Sequence, residues 1–178
     1  MERIVQQDMV AFETLYRRFQ PRIGRFVMAT TRRAAIIDEV CNDTMMVVWR
    51  RAESFDGRSR LSSWILGIAW RQAMQAMRRA GPGALDYEPK AETVADDDAL
   101  GAVDGELHRE QARAALEAAL GKLPPEQQAV VALTYFEELG YREIAEILDC
   151  PIDTVKTRMF HARRKLSRQM PGTAADWL

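Results

Sequence analysis

Basic and polar side chains recur along one arc of residues 152–168, and their chemistry suits nucleic acid. At 100° per residue, Val155, Met159, Ala162 and Leu166 form an apolar stripe on a single helix. Lysine and arginine bind phosphates, and polar side chains beside them can hydrogen-bond base edges. The polar side of this helix therefore predicts a DNA contact, to which we assign Asp153, Thr154, Lys156, Thr157, Phe160, His161, Arg163, Arg164, Lys165 and Arg168.

A basic amphipathic helix alone is more often a solvated surface, so the residues before it matter. Apolar residues from Ile144 to Leu148 form one side of a short helix, which Asp149-Cys150-Pro151 must end because proline cannot continue it. A short helix, a tight turn and a longer basic helix predict a helix-turn-helix, whose second helix lies in the major groove. Within that helix we expect bases to be read by Lys156, Thr157, Phe160 and His161, and phosphates to be held by Arg163, Arg164, Lys165 and Arg168.

Residues 52–63 break the helical period and concentrate glycine, serine, aspartate and arginine, which predicts a loop. Ser62 or Ser63 is the predicted N-cap of the helix that follows and ends at Arg79. Cations, an aromatic ring and small polar groups together suit an unpaired DNA strand, although most such loops are only connectors. The candidates are Phe55, Arg58, Ser59, Arg60, Leu61, Ser62, Ser63, Arg71, Arg78 and Arg79.

The segment 36–49 has a strong apolar stripe with acidic and amide side chains on its outer side. Carboxylates in a first helical turn can simply favour the helix dipole, or they can meet a basic partner. The pattern alone does not favour the partner. The outer side chains are Asp38, Glu39, Asn42 and Asp43.

Residues suited to catalysis or metal binding are scattered: Cys41, Cys150, His108 and His161 stand one by one, without metal-ligand spacing. No glycine-rich phosphate loop or plausible catalytic triad is present, so we predict no enzyme, no cofactor and reduced cysteines. The chain has no run of 18 apolar residues and no signal-peptide core at its start, which predicts a soluble cytoplasmic protein.

The pattern of the 178 residues is helical throughout, and the net charge differs in sign and size between four segments of the chain. Residues 1–80 have a net charge of +6, residues 81–110 −7, residues 111–150 −4 and residues 151–178 +4. We predict an all-α protein of two small helical domains, at 8–80 and 106–169, joined by a flexible acidic linker over 81–105. The second domain has four predicted helices, and the tail is 170–178 with Trp177.

Several boundaries are predicted within these domains. Pro21 marks a kink or a new start in the first long helix, and Pro125 begins a helix of the second domain. That helix buries Phe136 among its core residues and ends at Gly140.

Three segments in order resemble the extracytoplasmic-function (ECF) group of bacterial RNA polymerase sigma factors. Residues 39–49, EVCNDTMMVVW, are similar to that family's D-L-V-Q-E-T-F-L-x-V-W helix. Residues 55–69 are similar to its F-x3-S-x-F-x-T-W-L-x2-I-A run, with Leu61 in place of phenylalanine and Trp70-Arg71 in place of a small or polar residue and asparagine. Residues 123–128, LPPEQQ, followed by the helix-turn-helix, resemble the domain that reads the −35 promoter element.

The resemblance implies partners and a role. Such a factor binds core RNA polymerase through the β′ coiled coil and the β flap, captures a melted base of the −10 element with the loop, and reads the −35 duplex. It also implies promoter DNA as a partner, an anti-sigma factor as a further one, and no small-molecule substrate or membrane insertion. The implied polymerase contacts are Glu39, Asn42, Asp43, Met46 and Trp49.

The resemblance gives the acidic linker a role near the polymerase cleft, for Asp96 to Asp98, although a solubilising tether fits as well. The main alternative is a helix-turn-helix repressor or activator acting independently of sigma activity. Such regulators usually dimerise on paired half-sites, and the first domain shows neither a coiled-coil heptad nor a ligand-pocket pattern. A pure interaction module would leave the basic side of 153–168 without a function.

Overall fold

The computed structural model describes residues 1–81 and 113–169, and all regular structure in those ranges is helical. The all-α prediction is confirmed. The predicted linker from residue 82 onward, the start of the helix predicted at 106 and the tail with Trp177 lie outside the described residues. The helices are α1 (Glu2–Val5), α2 (Met9–Thr31), α3 (Ile37–Arg50), α4 (Leu61–Ala80), α5 (residues 113–121), α6 (Pro125–Tyr135), α7 (Tyr141–Leu148) and α8 (Ile152–Gln169), with 3-10 turns at Ala34–Ile36 and Ala52–Ser54.

Helix α2 is longer than its sequence suggests. It begins after Asp8, whose carboxylate accepts hydrogen bonds from the backbone N–H groups of Val10 and Ala11, and it continues through Pro21 to Thr31. The predicted new start at Pro21 is therefore wrong. Phe19 and Ile23 are buried on either side of the proline, and this packing offsets the one hydrogen bond that the ring removes.

Helix α4 begins before its predicted cap. Its N-cap is Arg60, which makes no side-chain cap hydrogen bond, and Ser62 and Ser63 lie in the first turn. The predicted serine cap is wrong because the helix already starts at Leu61, which places both serines inside it. The Ser63 hydroxyl instead donates to Oε1 of Glu143, in α7, at 3.3 Å.

Helix α6 starts at Pro125 as predicted, but it ends at Tyr135 rather than at Gly140. Gly140 instead precedes α7 as its N-cap. Phe136 comes directly after the last residue of α6, and its side chain is 68% exposed. The prediction that it belongs to the core is therefore also wrong.

The predicted helix-turn-helix is confirmed. Helix α7 ends at Leu148, its C-cap Asp149 adopts the left-handed conformation with φ 50°, and α8 starts at Ile152, directly after Pro151. A left-handed residue reverses the chain direction at a helix end, and aspartate tolerates it better than most residues. The apolar stripe predicted for α8 faces inward, since Val155, Met159 and Ala162 are all buried.

The two halves of the described structure pack directly against each other. Helix α2 lies on α6 and α4 lies on α7, and the buried side chains of both halves form one continuous hydrophobic cluster. The second contact is close at Gly67: a Cβ built there would be in ordinary contact with Ile147, 3.6 Å from its carbonyl oxygen and 3.7 Å from its Cα. Helices α4 and α7 therefore touch backbone to backbone at this point.

The burial of Met159 and the exposure of Phe136 give opposite stability predictions. Met159→Ala should lower the free energy of unfolding by about 2–5 kcal/mol, because it leaves a cavity in the core. Phe136→Ala should change it by no more than about 0.5 kcal/mol, because the ring already meets solvent. Urea unfolding followed by circular dichroism measures both, and a large loss for Phe136→Ala would contradict the exposed position.

Candidate nucleic-acid interface

The polar side of α8 is open to solvent, as a groove-reading helix requires. Lys156 and Thr157 are exposed in its second turn. The Lys156 ammonium pairs with Asp153 at 3.0 Å, and the Thr157 hydroxyl donates to the Asp153 backbone carbonyl at 2.8 Å. Asp153 therefore orients its two neighbours, and Thr154 beside it is half-buried.

An aromatic group stands in the middle of this surface. Phe160 is 61% exposed and meets the His161 ring edge to face, with centroids 5.5 Å apart. Arg163 Nη2 donates to the hydroxyl of Tyr135, at the end of α6, at 3.0 Å. The sequence pattern of α8 could not reveal Tyr135, which extends the surface onto a second helix. Further along α8, Arg164 and Arg168 are exposed and Lys165 is half-buried.

The loop of residues 55–60 is built from short-range contacts. Phe55 packs on Trp64, in α4, with ring centroids 5.3 Å apart, so it supports the loop from below. The Asp56 carboxylate accepts the Arg58 backbone N–H at 3.0 Å and pairs with the Arg58 side chain at 3.3 Å, while Gly57 takes a positive φ of 74°. The Arg58 side chain remains 90% exposed, and a phosphate can reach it directly.

The end of the loop touches the other half of the molecule. Arg60 Nε lies 3.5 Å from Glu143 Oε1, the same oxygen that accepts the Ser63 hydroxyl. Ser63 is buried to 3% exposure, whereas its neighbours Leu61 and Ser62 are half-buried and Ser59 before them is half-buried too. Glu143 thus covers one end of the predicted strand-binding loop, a contact for which the sequence gives no pattern.

The three arginines predicted on α4 divide into two groups. Arg71 and Arg78 are exposed, and Arg71 lines a groove of about 480 Å³ together with Arg50 and Arg51. Arg79 instead reaches α3, where its guanidinium lies 2.5 Å from Glu39 and 3.9 Å from Asp43.

A second surface, the α3 patch, lies where the acidic and amide side chains were predicted. We define the α3 patch as Glu39, Asn42, Asp43, Met46 and Trp49. The Tyr16 hydroxyl donates to Asn42 Oδ1 at 2.8 Å, and Phe12 packs on Trp49 with centroids 4.8 Å apart. Both contacting aromatics come from α2, so the patch spans two helices.

On α2, Met9 and Val10 line a groove together with Phe12 and Tyr16, the two residues that contact the α3 patch. Met9 and Val10 are 63% and 67% exposed, and Met46 within the patch is 48% exposed. Apolar side chains beside carboxylates are typical of a protein-binding surface. Sequence reasoning missed Met9 and Val10 because exposed apolar residues at the start of a helix show no distinctive spacing.

Both cysteines are free thiols, and neither is exposed. Burial, with a smaller effect from the Asp38 charge, raises the pKa of the Cys41 thiol to about 11, so this thiol stays protonated and unreactive at neutral pH. Cys150 is half-buried, and its Sγ accepts a hydrogen bond from Arg158 Nη1 at 3.6 Å. Within residues 1–81 and 113–169, no three His, Cys, Asp or Glu side chains are arranged to hold a metal ion, and no helix is both long and apolar enough to cross a membrane.

Two family models match the chain. Sigma-70 region 2 matches residues 15–82, which include α3, the loop and α4. Sigma-70, region 4 matches residues 113–166, which include the helix-turn-helix.

Curated relatives match over nearly the whole chain. An ECF RNA polymerase sigma factor, RpoE, of Cereibacter sphaeroides is 30% identical over 168 residues, covering 92% of this chain and 88% of the relative. An ECF RNA polymerase sigma-E factor of Haemophilus influenzae is 27% identical, covering 96% and 93%.

Solved structures share the fold. The sigma factor RpoE of Bartonella quintana, in complex with the anti-sigma factor NepR, matches with a TM-score of 0.67 at 23% identity, over 89% of this chain and 96% of that one. CnrH, in complex with the cytosolic domain of CnrY, matches with a TM-score of 0.62 at 18% identity, over 94% and 92%.

Proposed function

The chain belongs to the ECF RNA polymerase sigma factors and acts in transcription initiation, and from that premise we propose which of its surfaces meets each partner. The proposal is that α8 reads the −35 duplex, that the loop and α4 capture the melted −10 strand, and that the α3 patch binds core polymerase. The observation that carries it is the helix-turn-helix whose apolar stripe is buried and whose basic side is open. An independent repressor or activator is not favoured, because the chain matches region 2 as well as region 4.

Base reading at −35 falls to the first half of α8. Lys156, Thr157 and His161 are exposed there and carry donors and acceptors that suit base edges in a major groove. Phe160 offers an apolar contact of the kind that a thymine methyl group accepts. The basic side chains of the second half, Arg163, Arg164, Lys165 and Arg168, hold phosphates and set the register.

Capture of the −10 strand falls to the loop. Extruding a base costs a few kcal/mol of stacking and pairing, so the protein must recover most of it in a pocket. Ser59 and Ser62 supply hydroxyl groups for a base edge, and Arg58 and Arg60 supply cations for the flanking phosphates. Ser63, also predicted for this role, is buried and donates to Glu143, so it is not open to a base in this structure. Phe55 fits best as the support of this loop, since it packs on Trp64.

Helix α4 is proposed to bind the phosphates of the −10 strand that lie beyond the loop. Arg71 and Arg78 are exposed along it, and Arg71 shares its groove with two more arginines. Arg79 fits a different role, because its ion pairs with Glu39 and Asp43 order the α3 patch.

The polymerase contact falls to the α3 patch. Its carboxylates suit a basic partner, and Met46, Met9 and Val10 add apolar area that water would otherwise cover. We place Met9 and Val10 of α2 in the proposed interface with the β′ coiled coil. We assign the contact with the β flap to the region 4 domain, residues 113–166. The assignment requires no catalytic group on the protein itself.

The domain limits, 8–80 and 106–169 with an acidic linker between them, remain part of the proposal. An anti-sigma factor is a further proposed partner. Its support is that a solved structure of similar fold, that of RpoE with NepR, is a complex with an anti-sigma factor.

Run-off transcription with purified core polymerase and a promoter library tests the function as a whole. The wild-type chain should direct initiation from a defined subset of promoters. Asp43→Arg should abolish co-purification with core and initiation, because it places a cation on the carboxylate surface, while its helical circular-dichroism spectrum stays unchanged. Glu53→Arg, an equal charge change at an exposed position outside the α3 patch, is the control. Unchanged polymerase binding by Asp43→Arg would remove the α3 patch from the interface.

The division of α8 into base and phosphate contacts is tested by a binding selection with holoenzyme. Replacing Lys156 or His161 by alanine should change base preference at particular −35 positions, at a cost of about 1–3 kcal/mol each. Arg164→Ala should weaken binding to all −35 sequences alike. It should also reduce the slope of log affinity against log salt concentration by about one. The reverse pattern would contradict the assignment.

The loop is tested by charge reversal. Arg58→Glu with Arg60→Glu should leave −35 duplex binding by holoenzyme nearly intact, while permanganate reactivity at −10 thymines disappears. The control is Arg58→Lys with Arg60→Lys, which retains the cations. A pre-melted bubble template should restore little transcription, because the captured base still lacks its site. Full restoration would mean that the loop assists melting without capturing a base.

A further inference from the structure

One hydrogen bond on the DNA-facing side of α8 is made to a side chain of another helix. Arg163, in the second half of α8, donates from Nη2 to the hydroxyl oxygen of Tyr135 at 3.0 Å. Tyr135 is the last residue of α6 and is 45% exposed. Two helices that are separate in the chain therefore present their polar groups at one point of the surface.

We propose that Tyr135 and Arg163 form a phosphate clamp on the −35 duplex, in which Tyr135 positions the guanidinium and donates its own hydroxyl proton to the phosphate that Arg163 holds. The clamp rests on the proposed −35 role of α8. It goes beyond that role because Tyr135 lies on α6, outside the helix-turn-helix, and because it assigns two side chains to one phosphate.

The hydrogen bond between the two residues leaves donors free on both. A tyrosine hydroxyl can accept through its oxygen and donate its one proton, and an arginine has five N–H donors. The bond uses the oxygen of Tyr135 and one N–H of Arg163. Within residues 1–81 and 113–169, the hydroxyl proton has no acceptor and the Arg163 guanidinium has no carboxylate partner. A phosphate can therefore accept from both side chains at once.

The local charge explains why the tyrosine needs the arginine. Helix α6 ends at Tyr135, and the partial negative charge of a helix C-terminus disfavours a phosphate. Arg163 brings a cation to that place, and Arg164 is exposed beside it. The hydroxyl of Tyr135 is then a neutral donor that adds to the cation and does not replace it.

The hydrogen bond also prepares Arg163 for binding. A long side chain on a helix surface loses rotamer freedom when it holds a ligand, and a bond already made in the free protein removes part of that cost. In the part of α8 that the structure describes, Arg164 and Arg168 have no comparable bond from their guanidinium groups. Arg163 is therefore the arginine best suited to set the register of α8 on the duplex.

Three substitutions separate the parts of the clamp. Tyr135→Phe removes the hydroxyl but keeps the ring and every charge. Arg163→Ala removes the cation. Arg158→Ala is the control, because it removes an equal charge from the same helix at a half-buried position whose guanidinium donates to Cys150.

The test measures binding of holoenzyme to −35 duplexes by fluorescence anisotropy, with each phosphate in turn replaced by a neutral methylphosphonate. Tyr135→Phe should bind unmodified duplexes of all sequences about three- to tenfold more weakly, because one hydrogen bond to a charged group is lost. Its slope of log affinity against log salt concentration should equal that of wild type, since no cation is removed, whereas Arg163→Ala should lower the slope by about one.

The methylphosphonate duplexes locate the clamp. At one position, where wild type loses affinity, Tyr135→Phe and wild type should differ by less than about twofold, because the charged phosphate that the hydroxyl serves is gone. Arg163→Ala should be insensitive to replacement at that same position. In the double variant, Tyr135→Phe should add little to the loss caused by Arg163→Ala. A structural role of the hydroxyl would weaken binding to every duplex by the same factor and would single out no phosphate.

The outcomes separate the clamp from the proposed function. Wild-type affinity of Tyr135→Phe, together with a loss for Arg163→Ala, would overturn the clamp and leave the −35 assignment of α8 standing. Effects of the two variants at different phosphates would contradict it in the same way, and so would a loss for Arg158→Ala as large as that for Arg163→Ala. If Arg163→Ala, Lys156→Ala and His161→Ala all bind −35 duplexes like wild type, the assignment of α8 itself fails, and the clamp fails with it.

Discussion

The backbone contact between α4 and α7 decides how the rest of the described structure is arranged. At Gly67 even a Cβ would already be in contact with the backbone of Ile147, and Ile147 is buried between the two helices. Once these helices touch, α2 and α6 are brought together as well, and the apolar side chains of both halves form a single cluster. The helix-turn-helix then faces outward with α8, and its first helix faces inward over the loop.

Apolar burial, rather than ion pairing, stabilises this arrangement. The Arg60 side chain is 68% exposed, so its pair with Glu143 contributes at most about 1 kcal/mol in water. Arg22 and Glu137 are more buried, and their pairing chiefly avoids the cost of an uncompensated charge. Contacts of this kind specify which surfaces meet without making the meeting permanent.

Local patterns in the sequence were enough to predict the helix-turn-helix and the open polar side of α8, because both depend on spacing within 30 residues. Contacts between distant segments could not be predicted: Ser63 and Glu143 are 80 positions apart, and Arg79 pairs with Glu39 of α3, 40 positions away. The same limit explains the errors at Pro21 and Phe136. In each, tertiary packing or the lack of it outweighed a local rule that is usually sound.

Ion pairs between the two halves explain part of the uneven distribution of charge along the chain. Residues 1–80 carry a net charge of +6 and residues 111–150 carry −4. Arg22 and Arg60 belong to the first segment, and their partners Glu137 and Glu143 belong to the second. Acidic side chains of the second domain thus pair with cations of the first. Because α8 is basic and its polar side is open to solvent, the second domain turns Glu137 and Glu143 toward the first domain and its basic side chains toward solvent.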